Sequence, residues 1–156
     1  MKPSERLKAI GKELPAMAAP VGSYVPAVRT GNLVMTSGQL PIRDGELVCK
    51  GKVGSDVSLE EAQAAAALAG MNALAAAASV AGAVDRIARI VRVCVFVTSA
   101  PGFTDQPKVA NGASDLYAEI FEAAGRHCRS AVGVAELPLN AAVELELVAE
   151  ILDLAG

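Results

Sequence analysis

The sequence predicts an α+β sandwich: one mixed β-sheet with two helices packed on one face. Three observations carry this. Alternating strand-like segments lie near both ends of the chain, around "TGN" at 30–32 and "LPLNAA" at 137–142. An alanine-rich run without a charge extends from Ala62 to Val84, behind a helix-start signal. A valine-rich strand, "RIVRVCVFVTSA", separates that run from a second helical stretch. The order is therefore strand, strand, helix, strand, helix, strand, strand, and layers of helix on sheet satisfy it. The 156 residues suit one domain, 1–156, in which 1–20 form an N-terminal helix and connector.

Residues 4–14 place Leu7, Ile10 and Leu14 at helical spacing, which predicts a short amphipathic helix ending before Pro15. "AMAAPVGSYVPAV" reads as a connector. "YVPAVRTGNLVMTSGQLPI" then reads as a hairpin, with Leu33 to Thr36 as its β-rich second strand and Ser37-Gly38 following it. Asp44-Gly45 marks the turn of a further short hairpin arm.

Ser58 and Glu61 have capping-box spacing, so a long helix is expected from about Leu59 to Ala81. Alanine has the best helix propensity and keeps the helix slim against a sheet, while Gly70 weakens it by roughly 1 kcal/mol. In the strand that follows, Val91, Val93, Val95 and Val97 share one face and Arg92, Cys94 and Phe96 the other, a pattern expected of a strand covered on most of both faces. Over 108–124, Val109, Leu116, Ile120 and Phe121 form a helical stripe that Gly125 can terminate. Two alternating strands complete the chain.

Fourteen basic against 17 acidic residues give a formal net charge of -3, so the chain has no general attraction for phosphate backbones and nucleic acid is not expected as a partner. Hydrophobic residues make up 53% of the chain and aromatics only 3%, more apolar surface than one small core hides, which favours a homo-oligomer. The sheet face opposite the helices is then expected to be covered by symmetry-related copies. The alanine run is long enough to cross a bilayer, but with Gln63, Asn72 and Ser79 inside it and only two leucines it gains little from lipid, and no membrane association is expected. Three cysteines without CxxC spacing, and a start lacking the apolar core of a secretion signal, fit a reducing cytoplasm.

Arg129 opens a strand on the face it shares with Ala131, Gly133 and Ala135, all too small to shield it. A guanidinium so placed can receive a planar carboxylate bidentately; the alternative is a strand-end arginine reaching solvent or a structural acid. Glu144, Glu146 and Glu150 share one face of the last strand. A solvated face explains Glu146 and Glu150, whereas a carboxylate partly removed from water can exchange protons near neutral pH. The sole histidine, His127, adjoins Cys128, but adjacent strand residues point to opposite faces and no second histidine completes a ligand set, so loop packing is the expected role and no metal site is predicted. Cys94 reads as a buried thiol. Phosphate-binding, dinucleotide and nucleophile-elbow motifs are missing from the sequence.

The segments "YVPAVRTGNLVMTSGQLPI", "VRVCVFVTS" and "RSAVGVAELPLNAAVELELVA" resemble the signature segments of the RidA/YjgF family, also called endoribonuclease L-PSP, over about Tyr24 to Ala149. The resemblance implies a chorismate-mutase-like fold, a homotrimer with clefts between subunits, and hydrolysis of reactive enamine or imine acids such as 2-iminobutanoate to 2-keto acids and ammonia. It places the carboxylate-binding arginine at Arg129, the water-positioning glutamate at Glu144, a pocket tyrosine at Tyr24, and the serine and glycine ending the second strand at Ser37 and Gly38. Backbone groups near Gly38 and Ala131 would orient the imine, and no metal or organic cofactor is implied. The chain departs from the family pattern where the usual proline before the arginine gives way to "GRHCR", where Ala131 replaces a cysteine, and where Ser114 replaces an asparagine three residues before Tyr117.

A simple hairpin at "LPLNAA" pairs Glu136 with Val143 and Arg129 with Glu150, which leaves Glu144 beside Ala135, roughly 20 Å from Arg129 at about 3.3 Å per residue. One chain then cannot set both on one small substrate, and Arg129 of one subunit is expected to face Glu144 of another. Two further functions remain open: a module that binds a keto acid or similar carboxylate without turnover, and a ribonuclease, against which the acidic balance and single histidine argue.

Overall fold

The computed structural model describes residues 1–17 and 22–153. Part of the expected connector, 18–21, lies outside the described residues. A short helix α1 (Pro3–Ala9) opens the chain, with Pro3 in its first turn and the Glu5 carboxylate accepting from the Lys2 amide. It ends earlier than the apolar spacing suggests, at the left-handed Gly11, and buries only Leu7. Ser4 docks it by donating its amide and hydroxyl to Asp85, at 2.8 and 2.7 Å.

Strands β1 (Ala27–Thr30) and β2 (Leu33–Thr36) form the expected hairpin around Gly31, whose φ of 58° suits the tight turn. The Asp44-Gly45 turn, with both residues at positive φ, joins β3 (Ile42–Arg43) to β4 (Glu46–Leu47) in the predicted arm. Helix α2 spans Leu59–Ala81, and its capping box is complete: Ser58 Oγ accepts from the Glu61 amide, and the Glu61 carboxylate accepts from the Ser58 amide. The helix is long and apolar enough to cross a membrane, yet thirteen of its residues are buried in the domain's own core.

The sheet order is β1-β2-β7-β5-β6, from β5 (Ile87–Thr98), β6 (Cys128–Val134) and β7 (Val143–Ile151). Only β5 and β6 run parallel; the remaining neighbours are antiparallel, so the sheet is mixed. Helix α3 (Gln106–Phe121) supplies the crossover between the parallel pair. Both long helices cover the face that carries Val34, Val93, Val95, Val97, Leu145 and Leu147, each at most 1% exposed. Gly70 and Gly112 let the helices approach closely. An added side chain at Gly112 would overlap the Gln63 carbonyl, and one at Gly70 would crowd Ala113 and Tyr117.

Three expectations are corrected. The last two strands are not a hairpin: β5 lies between β6 and β7, pairing with both. The connection at Pro138–Asn140 is a 3-10 turn in which Leu139 and Asn140 both take positive φ, and it carries the chain past β5 instead of folding it back. Val91 leaves the row of Val93, Val95 and Val97, because the β5 register slips between Ile90 and Arg92, so one residue there stands out of the pairing. Finally, α3 stops at Phe121, before the left-handed Glu122, and Gly125 closes a following 3-10 turn.

The second sheet face carries Glu144, Glu146, Val148 and Glu150 of β7 with Cys94 and Phe96 of β5. Val28, Leu33, Met35 and Val132 stand on it between 39% and 48% exposed.

Candidate active site

The pairing register settles which candidate residues share a face. Arg129 is opposite Val93, which is opposite Leu147, and both partners are buried under the helices. Arg129 and Ala131 therefore stand on the helix side of β6, at the sheet edge. Glu144 lies opposite Phe96, between the buried Val143 and Leu145, so its side chain points to the other face. Within one chain the sheet itself separates Arg129 from Glu144.

Around Arg129 the side chains form one chain of hydrogen bonds. Its Nη1 donates to Asn111 Oδ1 at 2.8 Å and to Ser114 Oγ at 3.1 Å, both on α3. Ser114 Oγ lies 2.9 Å from His127 Nε2, and His127 Nδ1 lies 2.7 Å from the Gly125 carbonyl. A carbonyl can only accept, so Nδ1 carries the proton and Nε2 accepts from the serine hydroxyl. Burial, with the Arg129 charge adding to it, holds the imidazole below its usual range, though the Gly125 bond opposes this. Tyr117 meets the ring edge-on at 6.0 Å and anchors its own hydroxyl on the Gly70 carbonyl.

No carboxylate among the described residues pairs with Arg129. Its partners are neutral, which leaves its charge available to a ligand. The guanidinium borders a cavity of about 360 Å³ lined also by Ser114, Ala118, Gly125, Arg126 and His127, without an acid. Gly125 makes this approach feasible, because any side chain there would overlap the Tyr117 carbonyl.

On the other face Glu144 is half-buried, and burial first, then the neighbouring Glu146, raises its carboxyl above the usual range. Beyond Thr36 the chain continues alongside β7, where Gln39 and Leu145 exchange backbone bonds of 2.8 and 2.9 Å. This presses Gly38 onto Glu144: a Cβ at position 38 would sit 2.8 Å from the Glu144 Cδ. Ser37 Oγ donates to the Val25 carbonyl at 2.7 Å, tying down the segment that carries Tyr24, which is 56% exposed. Ser37, Gly38 and Glu144 are thus brought together, with Tyr24 tethered beside Ser37, while Arg129 and Ala131 belong to the opposite side.

Sequence reasoning missed Asn111 and the coupling of Ser114 to His127, and the loop-packing role expected for His127 is replaced by a bond into this cluster. The i, i+3 spacing of Asn111 and Ser114 was the available signal, since it sets both on one helix side. The described residues contain no group of three His, Cys, Asp or Glu able to hold a metal ion. Burial raises the Cys49 and Cys94 thiols, with Glu61 and Glu146 respectively adding to it, so neither favours the nucleophilic thiolate.

The family model described as "YjgF/chorismate_mutase-like, putative endoribonuclease" matches residues 4–151. Protein TCP17 of Trypanosoma cruzi is 44% identical over 146 residues, covering 93% of this chain and 91% of that protein. A 2-iminobutanoate/2-iminopropanoate deaminase of Dermatophagoides farinae is 33% identical over 134 residues, covering 85% and 88%. A crystal structure of a "putative endoribonuclease" from Shewanella oneidensis superposes with a TM-score of 0.93 at 39% identity, covering 97% of this chain and all of that one. With its mixed sheet, two helices on one face and signature strands at β6 and β7, the chain belongs to the YjgF/chorismate mutase-like family.

Proposed function

We propose that the protein hydrolyses reactive 2-imino and enamine acids to 2-keto acids and ammonia, in clefts between the subunits of a homotrimer. The observation that carries this reading is the pair of half-sites: a guanidinium with only neutral partners on one sheet face, and a half-buried carboxyl of raised pKa on the other. A relative of one-third identity is named for this reaction, which supports the substrate class. The second face, where Val28, Leu33, Met35 and Val132 stand exposed beside the glutamates of β7, is the surface on which copies would meet.

An imine protonated on nitrogen is already electrophilic at carbon, so positioning supplies most of the help. Arg129 grips the substrate carboxylate bidentately. Glu144 of the neighbouring subunit aligns a water and takes its proton as the oxygen bonds to the imine carbon. The same carboxyl returns the proton to nitrogen, then takes the hydroxyl proton of the adduct as the carbon–nitrogen bond breaks, and ammonia leaves a 2-keto acid. A carboxyl raised by burial suits both transfers. Ser37 and Gly38 hold the backbone against Glu144, and Tyr24 borders the opening.

The test is ammonia release from freshly generated 2-imino acids of different side-chain size, with light scattering to count subunits. Arg129→Ala is expected to abolish release and leave a trimer. Turnover that survives the substitution overturns the assignment. Saturable carboxylate binding without ammonia release would instead favour a binding module, a reading to which Ser114 and Ala131 lend support as departures from the family pattern.

A further inference from the structure

Two departures from the family pattern, Ser114 on α3 and His127 in the stretch lacking the usual proline, lie far from each other in sequence and touch in space at 2.9 Å. The bonds run in one direction: Arg129 Nη1 donates to Ser114 Oγ, the serine donates to His127 Nε2, and Nδ1 donates to the Gly125 carbonyl. The serine hydroxyl is thereby fully engaged, and the guanidinium is held between Asn111 and Ser114.

We propose that Ser114 and His127 are positioning residues of the Arg129 carboxylate grip, and that gain of a proton by His127 turns the Ser114 hydroxyl toward the ligand and strengthens anion binding. This rests on the proposed carboxylate-binding role of Arg129. Once Nε2 carries a proton it becomes a donor, and two donors, His127 and Arg129, then point at Ser114 Oγ. The serine hydrogen must leave the imidazole and turn into the acid-free cavity that these three residues line. A bound carboxylate accepts it and also meets one more positive charge.

The groups facing the imidazole are few. From α3 they are Ser114 and Tyr117, the latter a phenol kept neutral by burial. Along its own segment they are Arg126, Cys128 and Arg129, and Arg89 of β5 and Glu150 of β7 line an adjoining cavity with it. Among these the only acid is Glu150, so a bound anion adds the principal new negative charge near the ring.

The chain has one histidine, so its imidazole proton resonances give an unambiguous titration. The probe is 2-oxobutanoate, which stays ionised across pH 5–8, measured by calorimetry and by imidazole NMR. Wild-type affinity is expected to rise about three- to tenfold as pH falls from 8 to 5, and saturating probe should raise the imidazole titration midpoint by the matching amount, as linkage requires. His127→Gln, whose amide oxygen can still accept from Ser114 but cannot gain a proton, should lose the pH dependence of binding. Ser114→Ala should weaken binding at pH 8 and reduce the probe-induced shift of the imidazole midpoint to the part that charge attraction alone supplies. A flat wild-type profile, an unchanged midpoint, or pH dependence persisting in His127→Gln overturns this inference. Undiminished binding by Arg129→Ala overturns the parent reading as well. Glu144→Gln run alongside separates any titration at the other half-site.

Discussion

Alanine at position 38 is a probe of Glu144 that leaves Glu144 itself in place. Gly38 does not use the left-handed region that only glycine tolerates, so the backbone accepts a side chain there. The added Cβ would stand 2.8 Å from Glu144 Cδ, 3.0 Å from Oε2 and 3.1 Å from Cγ, where ordinary contact begins at 3.4 Å. The carboxylate must therefore retreat by at least 3.4 − 2.8 = 0.6 Å, and the three atoms nearest the added methyl all belong to Glu144. A misplacement of about 1 Å at a reacting group costs about 10²-fold, so a fall in kcat of about ten- to a hundredfold is expected. KM should hold, because the Arg129 grip is untouched. Stability should change by less than about 1 kcal/mol, the entropy removed from the unfolded chain offsetting the local contact. The assay is steady-state ammonia release with kcat and KM separated, beside thermal unfolding. Gly38→Ala in a Glu144→Gln background provides the cycle: if the methyl acts only by displacing that carboxylate, the double variant is no slower than Glu144→Gln alone. Full activity of Gly38→Ala, or the same loss in both backgrounds, would refute the assignment of Glu144.

Further expectations concern stability. Because Glu144 binds its proton more tightly folded than unfolded, its contribution is fully present below the ordinary glutamate pKa and is lost as pH rises through the raised folded value. Glu144→Gln should therefore match the wild type near pH 4 and gain on it by pH 8, by about 0.5 kcal/mol after allowance for solvent screening; a loss instead would reveal a cation holding the carboxylate. Gly112→Ala should lower the melting temperature by about 3 to 10 °C, since the methyl meets the backbone of α2 and cannot rotate away. In an unobstructed helix the same change would stabilise, so a rise in melting temperature would contradict the close crossing of α2 and α3.

What the sequence made legible was whatever is encoded locally. The α2 boundaries followed from Ser58, Glu61 and an uninterrupted alanine run, and the two small hairpins from Gly31 and the Asp44-Gly45 pair, because caps and tight turns are decided by a few adjacent residues. The alternation in β6 and β7 identified both strands and the faces of Arg129 and Glu144, yet gave no information on which strands lie beside them. That choice depends on β5, which precedes both strands by at least the whole of α3 and whose apolar row needs a neighbour on each edge. The left-handed Leu139 and Asn140 carry no glycine to announce them. The Ser114–His127 contact was hidden for a similar reason. Adjacency drew attention to Cys128, while the true partner lies thirteen residues upstream on a helix whose rotation about its axis only packing determines.

The corrected strand order changes what separates Arg129 from Glu144. A hairpin would have parted Arg129 from Glu144 by distance along a ladder, a separation that strand slippage or a bent turn can shorten. With β5 between their strands, the two side chains instead project from opposite sides of one continuous sheet, and no local motion brings them together. Under the proposed reading, chemistry then requires that the edge carrying Arg129 on one chain abut the face carrying Glu144 on the next. β6 is an edge strand with Val132 exposed, and Val28, Leu33 and Met35 lie on the same bare face. The surfaces that must meet to assemble the site thus carry exposed apolar side chains that gain by leaving water. A charge placed at Val132 should accordingly break assembly and activity together, and an active monomer would separate the two.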